Sequence, residues 1–283
     1  METSAPVGTL YVVATPIGNL GDLSGRACRI LEEVKLIACE DTRHTRKLLS
    51  YFGLSTPMIS YYREKEHQRS EQILARLRAG DDVALVSDAG TPGISDPGAV
   101  LVKAAYAAEI KVVAVAGPSA LTAALSIAGC RDSSFYFAGF PPVKPGAQTR
   151  LFASLKHLTC PLVFYESPRR VSSTLKHLAG ELGDRQAQLF RELTKRHEQR
   201  LSGSLTRLAE QTANGIKGEI VLVVDGAPAA VACSSTEVDE LLLWHKDQQG
   251  ASLKDAVRTI AKELGLSRSS VYRRALQLWH TPE

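Results

Sequence analysis

The sequence predicts an α/β fold with two α/β domains and a small C-terminal module of two helices. Short apolar runs alternate with segments of helical periodicity through the first half of the chain. A second set of such runs follows a proline-containing break at residues 140–146. A segment of small residues then precedes two amphipathic helices. The predicted boundaries are residues 1–131 for the first domain, 132–226 for the second, 227–240 for a linker and 241–283 for the helical module.

Four predicted strands of the first domain are continuous apolar runs rather than alternating patterns. They cover residues 10–15, 35–39, 83–86 and 112–116. Helical patterns lie at residues 23–34, 68–79 and 100–108, and a further short helix precedes residue 130. Strands that are buried on both faces have this composition. The first domain is therefore predicted to hold a mostly parallel sheet with helices on both faces.

The second domain continues the alternation, and the module adds two helices. Strands are predicted at residues 162–165, 188–190 and 220–224, and helices at residues 171–182 and 205–212. In the module, apolar residues at helical spacing run from Leu253 to Leu264, and Gly265 is predicted to end this helix. Ser267 is the predicted N-cap of a second helix at residues 268–278. Two short helices around a glycine-containing turn resemble a helix-turn-helix.

Composition excludes several classes of protein. The 283 residues are 44% hydrophobic, which is too apolar for a disordered chain, and their net charge of +4 is mild. The five cysteines form no CxxC pair, so neither a disulfide framework nor a cysteine-based metal site is predicted. The sequence shows neither a membrane span of about 20 apolar residues nor a basic leader. We therefore expect a cytoplasmic protein without a bound metal.

Four loops with Gly, Pro or Asp follow the predicted strands of the first domain. They lie at residues 15–19, 40–43, 87–93 and 117–120. Any one of them has the composition of an ordinary turn. Because the carboxyl ends of parallel strands meet at one edge of a sheet, the four together predict a ligand-binding cleft there. The absence of a GxGxxG after the first strand and of a GxxxxGK[ST] argues against a dinucleotide dehydrogenase and a P-loop NTPase.

Seven segments, in order along the chain, resemble one family. They are residues 10–22 (LYVVATPIGNLGD), 38–43 (ACEDTR), 87–98 (SDAGTPGISDPG), 117–120 (GPSA), 165–168 (YESP), 191–195 (RELTK) and 217–224 (KGEIVLVV). The family is that of the ribosomal small subunit methyltransferases I, which have the tetrapyrrole-methylase fold. The chain departs from the family's pattern at Ala116, where Pro is common, and at Arg169, where His is common.

The resemblance implies two α/β domains of the tetrapyrrole-methylase type with a cofactor cleft between them. It implies a homodimer that transfers a methyl group from S-adenosylmethionine to the ribose 2′-oxygen of a cytidine. That cytidine is position 1402 in the decoding region of 16S rRNA, within the small ribosomal subunit. The residues that match the family's cofactor-binding motifs are Pro16, Asp88, Ala89, Gly90, Thr91, Pro92, Ser119, Ala120, Tyr165, Lys217, Gly218 and Glu219.

A ribose hydroxyl is a poor nucleophile while it keeps its proton, so a positioned base would assist the reaction. The carboxylates in the motif loops are those of Glu40, Asp41, Glu166 and Glu192. Taken singly, each of them is more often a salt-bridge or RNA-positioning residue than a base. Lys195 or Lys217 would serve as a base only with a lowered pKa. The sequence does not distinguish these groups by position or spacing. We take Glu192 as the candidate catalytic base, and Glu40 and Asp41 as the alternatives.

Cationic side chains for RNA are predicted in the motif loops and in the helical module. Residues 251–283 hold six Lys or Arg and three Asp or Glu, which suits either phosphate contacts or an ordinary solvated helix face. A second mixed-charge stretch, residues 63–69, lies near the predicted cleft. The predicted RNA-binding residues are Arg43, Arg169, Arg170, Arg191, Arg268, Tyr272, Arg273 and Arg274.

Two other functions stay open at this point. A methylase acting on a corrinoid or porphyrinoid would have the same cofactor cleft, although the basic helix pair and the ACEDTR segment favour RNA. A ligand-sensing DNA regulator would use the helix-turn-helix to contact bases. The second helix supplies few side chains for that purpose beyond Arg268, Ser269, Arg273 and Arg274.

Overall fold

The computed structural model describes residues 7–130, 133–228, 235–247, 252–264 and 266–279. The chain forms two compact units, Met1–Gly226 and Ala227–Glu283, each of which is described by itself. The predicted domain boundary at residues 131 and 132 lies outside the described residues, as does Gly265. Among the described residues, no helix has the length and apolar character needed to cross a bilayer.

The first sheet is wholly parallel, with strand order β3-β2-β4-β1-β5. Its strands are β1 (Leu10–Val13), β2 (Leu36–Cys39), β3 (Met58–Ser60), β4 (Val83–Val86) and β5 (Val112–Val115). Its helices are α1 (Gly25–Glu33), α2 (Thr42–Tyr51), α3 (Glu66–Arg78), α4 (Ala99–Ala107) and α5 (Ala120–Ala128), with short 3-10 turns at Leu20–Asp22 and Arg63–Lys65. The central strand β4 is buried along its whole length, as a strand covered on both faces must be.

Helices cover both faces of this sheet, which confirms the predicted architecture. One apolar cluster joins Ile73 and Leu77 of α3 and Leu101 of α4 to one face. A second cluster joins Ala27 and Leu31 of α1 and residues of α2 to the other face. Neither α2 nor β3 is predicted from the sequence. Helix α2 buries only Thr45, Leu48 and Leu49, and β3 has three residues, so neither produces a strong periodic pattern.

The second sheet is mixed, with strand order β6-β7-β10-β8-β9. Its strands are β6 (Tyr136–Gly139), β7 (Leu162–Glu166), β8 (Gln186–Arg191), β9 (Gln199–Ser204) and β10 (Ile220–Val224). Only the β6–β7 pair is parallel; the other three pairs are antiparallel. The helices of this domain are α6 (Pro145–Leu155), α7 (Val171–Leu182) and α8 (Leu205–Gln211). Pro145 occupies the first turn of α6, so the predicted loop at residues 140–146 ends two residues earlier than expected.

Helix α5 holds the two α/β domains together. Helices α6, α7 and α8 cover one face of the second sheet. The other face packs against Ala124 and Ala128 of α5, which follows the last strand of the first sheet. Val163, Val221 and Val223 supply the second-sheet side of this contact. The carboxyl ends of the first sheet's strands are thereby brought beside the second domain.

The C-terminal unit contains three helices among its described residues. They are α9 (Ser235–Asp247), α10 (Leu253–Glu263) and α11 (Arg268–Trp279), and their apolar faces form one cluster. The Ser252 hydroxyl accepts from the Asp255 N–H and caps α10. The two predicted helices are confirmed, but the predicted linker at residues 227–240 is too long, because α9 begins at Ser235. Within α9, Val238 and Leu242 are buried against the other two helices.

Candidate active site

A cavity of about 430 Å³ lies between the two α/β domains. The first domain contributes loops at the carboxyl ends of β1, β2, β4 and β5, as the loop composition predicted. The second domain contributes the end of β6, the loop after β7 and the start of β10. We call this the main cavity. Its polar lining includes Glu40, Asp88, Thr91, Asp96 and Ser119.

A second cavity of about 310 Å³ adjoins the main cavity. The two share Ile17, Asp88, Ala89 and Glu219. We call the second one the side cavity. Its remaining lining comes from the loop after β1, from α2 and from the second domain, namely Thr15, Pro16, Gly18, Leu20, His44, Lys47, Leu48 and Lys195.

Hydrogen bonds between loops fix the floor of the main cavity. The backbones of Thr15 and Gly90 exchange two hydrogen bonds of 2.9 and 3.0 Å, so the loops after β1 and β4 are tied together. The Thr91 hydroxyl donates to the Pro118 carbonyl at 3.2 Å and ties in the loop after β5. Gly90 has φ +82°, which an L side chain rarely adopts. Three loops that are distant in sequence therefore form one surface.

Three carboxylates meet at this surface. Asp88 accepts from the Asp41 backbone N–H at 3.0 Å. Burial raises the pKa of Asp96 to about 6, and the negative charges of Glu40 and Asp88 add to the rise. Burial and the charge of Asp88 likewise raise the pKa of Glu40. Carboxylates that raise one another's pKa create a negative potential, and a bound cation relieves it.

Tyr165 forms the second-domain wall of the main cavity. Its hydroxyl accepts from the Leu121 N–H at the start of α5 at 3.0 Å, and burial raises its pKa. Its ring packs edge-on against Phe137 and Phe140, with centroids 4.9 and 5.6 Å away. This wall is therefore built from packed aromatic rings, and the negative charge of Asp96 adds to the rise in the Tyr165 pKa.

Comparison with known proteins supports the resemblance found in the sequence. The family described as Tetrapyrrole (Corrin/Porphyrin) Methylases matches residues 9–209. A ribosomal RNA small subunit methyltransferase I from Xylella fastidiosa (strain Temecula1) is 46% identical over 94% of this chain and 98% of its own length. Proteins of the same name from Synechocystis sp. and Pseudomonas aeruginosa are 45% and 41% identical, over 96% and 95% of this chain and 99% and 97% of their own. The chain belongs to the ribosomal RNA small subunit methyltransferase I family.

Membership in this family confirms the predicted enzyme class, an S-adenosylmethionine-dependent methyltransferase. Solved structures confirm the fold. Uroporphyrin-III C-methyltransferase from Thermus thermophilus, complexed with S-adenosylhomocysteine, superposes with a TM-score of 0.55 at 20% identity, covering 76% of this chain and 97% of that one. Diphthine synthase superposes with a TM-score of 0.58 at 15% identity, covering 77% and 90%.

Most residues that match the family's cofactor-binding motifs line the main cavity. These are Asp88, Ala89, Gly90, Thr91, Ser119, Ala120, Tyr165 and Glu219. Pro16 lines the side cavity instead, and Pro92 is buried outside both linings. Lys217 and Gly218 also lie outside both linings; the Lys217 carbonyl accepts from the Arg191 guanidinium at 3.0 Å. Their role in binding the cofactor stays a prediction.

Of the four candidate carboxylates, Glu40 and Glu166 line the main cavity, whereas Asp41 and Glu192 do not. The Asp41 side chain caps α2 and forms an exposed ion pair with Arg43, which lowers its pKa to about 2. Such a carboxylate has little affinity for a proton, so the structure argues against Asp41 as a base. Asp96 was not among the candidates. Its only sequence signal was its place in the SDAGTPGISDPG segment, where an Asp before Pro is typical of a turn.

Glu192 is held in an ion-pair network outside the linings of both cavities. Its carboxylate accepts from the Glu219 N–H and from the Lys195 ammonium, each at 2.9 Å. These two hydrogen bonds lower its pKa. Burial by itself lowers the pKa of Lys195. The hydrogen bonds from its ammonium to Glu192 and Glu219 have a larger combined effect, so the pKa of Lys195 is raised. The lowered pKa of Glu192 and the raised pKa of Lys195 both argue against a role as the base. That role was predicted from the sequence for Glu192 or, with a lowered pKa, for Lys195.

Glu166 has a structural role. Its carboxylate is fully buried and accepts from the Thr174 hydroxyl at 2.6 Å and from the Ser167 N–H at 2.7 Å. The Arg170 guanidinium donates to the same carboxylate at 3.2 Å and to the Pro141 carbonyl at 2.6 Å. These hydrogen bonds of Arg170 hold the loop after β6 against the start of α7, and its binding to RNA stays a prediction.

The other predicted RNA-binding residues fall into two groups. Arg274 is half-buried and paired, because its guanidinium donates to both carboxylate oxygens of Asp239 at 2.7 and 2.5 Å and holds α11 against α9. Arg191 donates to Gln199 and Lys217 and supports the loop before β10. The exposed ones are Arg43, Arg169, Arg268, Tyr272 and Arg273, of which Arg43 is paired with Asp41.

Replacing Gly218 with Ala is expected to destabilise the protein more than the same change at Gly215. Both glycines have positive φ, +97° and +87°, so an added Cβ strains either backbone. At Gly218 that Cβ would also overlap the Glu192 side chain, whereas nothing lies within 4 Å of it at Gly215. Urea denaturation should give a loss of about 1–3 kcal/mol for Gly215→Ala and a larger one for Gly218→Ala. Equal losses would mean that Glu192 moves aside freely.

Proposed function

We propose that this protein methylates the ribose 2′-oxygen of a cytidine, position 1402, in the decoding region of 16S rRNA. The proposed substrate is the small ribosomal subunit in the cytoplasm, and the proposed active form is a homodimer. The observation that carries the proposal is near-full-length identity of up to 46% to proteins named as methyltransferases of small-subunit rRNA. An acidic main cavity and a side cavity that joins it provide room for two ligands.

The lining of the main cavity fits S-adenosylmethionine. When bound, this cofactor supplies a methyl group on a positively charged sulfur that is already a good leaving group. The carboxylates of Asp88 and Asp96 would face its positive charges, since their mutual repulsion is relieved by a cation. The apolar side chains of Ile17, Phe190 and Val221 offer a dry surface for its adenine ring.

Affinity for S-adenosylmethionine is expected to fall as the pH is lowered through about 6, the pKa of Asp96. A cationic ligand favours the ionised carboxylate, so below that pH binding must also displace a proton. Displacing this one proton lowers the affinity by up to about tenfold for each pH unit below the pKa. Titration calorimetry between about pH 5 and pH 8 measures this slope, and Asp96→Asn should flatten it. S-adenosylhomocysteine lacks the sulfonium charge and should show a shallower profile; an unchanged slope in Asp96→Asn would contradict the assignment.

We propose that Glu40 is the base that accepts the proton of the ribose hydroxyl. It lines the main cavity, and its raised pKa gives it more affinity for a proton than an exposed glutamate has. A backbone hydrogen bond at Asp88 and the charge of the neighbouring Arg63 partly offset this rise in pKa. Alignment of the hydroxyl by the cavity walls supplies the rest of the rate enhancement.

The C-terminal unit is proposed to hold the rRNA. Arg268 and Arg273 are exposed on α11 together with Tyr272. Cations contact phosphates irrespective of sequence, and an exposed aromatic ring stacks on an unpaired base. This combination suits a structured RNA surface around the target nucleotide.

The test is to incubate the protein with methyl-labelled S-adenosylmethionine and unmodified small subunits, and then to map the label in the rRNA. Label on the 2′-oxygen of one decoding-region cytidine is the expected result. Label on naked rRNA alone would move the substrate to an earlier stage of assembly. No label on either RNA, with cofactor binding intact, would favour a methylase of a small tetrapyrrole. Specific DNA binding without methyl transfer would favour a regulator.

A further inference from the structure

A third cavity continues the side cavity along the surface. It has a volume of about 650 Å³ and shares Gly18, Leu20 and Lys195 with the side cavity. Tyr51, at the end of α2, and Arg196, in the loop after β8, complete its walls. Because the side cavity in turn shares four residues with the main cavity, the three form one continuous depression. We call its outer part, lined by His44, Lys47, Tyr51, Lys195 and Arg196, the basic groove.

One face of α2 forms the first wall of the basic groove. His44, Lys47 and Tyr51 are three and four residues apart, which places them on the same side of a helix. All three are exposed, and the Tyr51 side chain has 66% of its surface accessible. The opposite face of α2 buries Leu49 against the first sheet. The helix therefore presents a cationic and aromatic stripe whose position is fixed by the core.

The opposite wall belongs to the second α/β domain, and it touches the loop after β1 at the floor of the groove. A Cβ on Gly18 would overlap the aliphatic stem of Lys195 and lie 3.0 Å from the Leu193 carbonyl oxygen, so the loops after β1 and β8 are in contact there. Beyond this contact the groove opens into the main cavity beside Asp88 and Glu219. A chain lying in the groove would thus reach the reaction site across the domain junction.

The free positive charges of the groove are those of Lys47 and Arg196. The Lys195 ammonium lies 2.9 Å from Glu192 and 3.1 Å from Glu219, so its charge is already compensated. In the part of the chain that the structure describes, neither Lys47 nor Arg196 forms an ion pair. Unpaired cations on both walls suit a polyanion, and the exposed ring of Tyr51 on the α2 wall suits a planar base.

We propose that the basic groove binds the single-stranded RNA that flanks the target nucleotide, with phosphates on Lys47 and Arg196 and one base stacked on Tyr51. This inference rests on the proposed function, because it takes an RNA ribose as the group that enters the main cavity. An A-form duplex does not present its bases to a side chain in this way, so the flanking nucleotides are unpaired. None of these three groove residues was identified from the sequence.

The test measures binding of the full-length protein to small subunits over a range of salt concentrations. Lys47→Ala and Arg196→Ala should each make the slope of log K against log salt shallower by about 1, because each removes one phosphate contact. Tyr51→Ala should weaken binding about tenfold, and Tyr51→Phe should bind like the wild type, because stacking needs the ring and not the hydroxyl. Each variant should bind S-adenosylmethionine with unchanged affinity.

Helix α4 supplies matched controls. Lys103 and Tyr106 are exposed there at similar spacing, and neither lines any of the three cavities. Lys103→Ala and Tyr106→Ala should leave both the affinity and the salt slope unchanged. The proposal would be wrong if Lys47→Ala and Arg196→Ala kept the wild-type salt slope. It would also be wrong if their losses of affinity equalled those of the controls. Because binding is measured directly, this outcome is independent of whether the wild type labels the 2′-oxygen, which tests the proposed function.

Discussion

Replacing Glu40 with Gln is expected to lower the rate of methyl transfer by a factor of about 10²–10⁴, the usual contribution of a positioned base. Glutamine keeps the size of the side chain and its place in the main cavity but does not accept a proton. The effect should therefore appear in kcat at saturating cofactor and saturating subunits. The Kd of S-adenosylmethionine and the affinity for subunits should change much less, since Asp88, Asp96 and the basic groove remain.

The pH dependence of the rate adds a second criterion. A base must be ionised to accept a proton, so the wild-type rate should rise with pH through the raised pKa of Glu40 and then level off. Glu40→Gln should lose this rise. Glu192→Gln is the matched control, because Glu192 lies outside the linings of both cavities and its pKa is lowered. If Glu192→Gln lost the rise and Glu40→Gln kept it, the base would be Glu192, as the sequence analysis first assigned it.

Replacing Glu166 with Ala is expected to reduce the free energy of unfolding by about 3–5 kcal/mol, the usual cost of removing one partner of a buried ion pair. The carboxylate is fully buried, and Arg170 is 28% exposed. Its loss leaves the guanidinium, the Thr174 hydroxyl and the Ser167 N–H without their acceptor. The loop at Pro141 and Pro142 should also loosen, because Arg170 holds both carbonyls.

Urea denaturation measures this loss, and two further variants identify its cause. Arg76 and Asp81 form an exposed ion pair in the same unit, so Arg76→Ala should cost no more than about 1 kcal/mol. The double variant Glu166→Leu with Arg170→Met should be more stable than Glu166→Ala, because it leaves no unpaired charge buried. If Glu166→Ala cost as little as Arg76→Ala, the buried network would not stabilise this part of the fold.

The sequence by itself determined the architecture of the first domain, the family and the position of the cleft. Residues 83–86, 171–182 and 220–224 form the predicted elements with identical bounds, because the two strands are uninterrupted apolar runs and the helix has a regular periodicity. The cleft followed from the turn residues at four strand ends, since a parallel sheet places those ends together. The motif segments supplied the enzyme class, which composition and periodicity did not.

Only the tertiary structure decided which of the candidate residues are free to act. Arg274 pairs with Asp239, 35 positions away, and Glu192 meets the Glu219 N–H, 27 positions away. Such partners leave no pattern in the sequence, because each pair meets only when separate elements pack. The pKa of Asp96 has a similar origin: burial, the charge of Glu40 from the loop after β2 and the charge of Asp88 from its own loop raise it to about 6. Chemical type is a property of the residue, whereas burial and charge environment are properties of the packed chain.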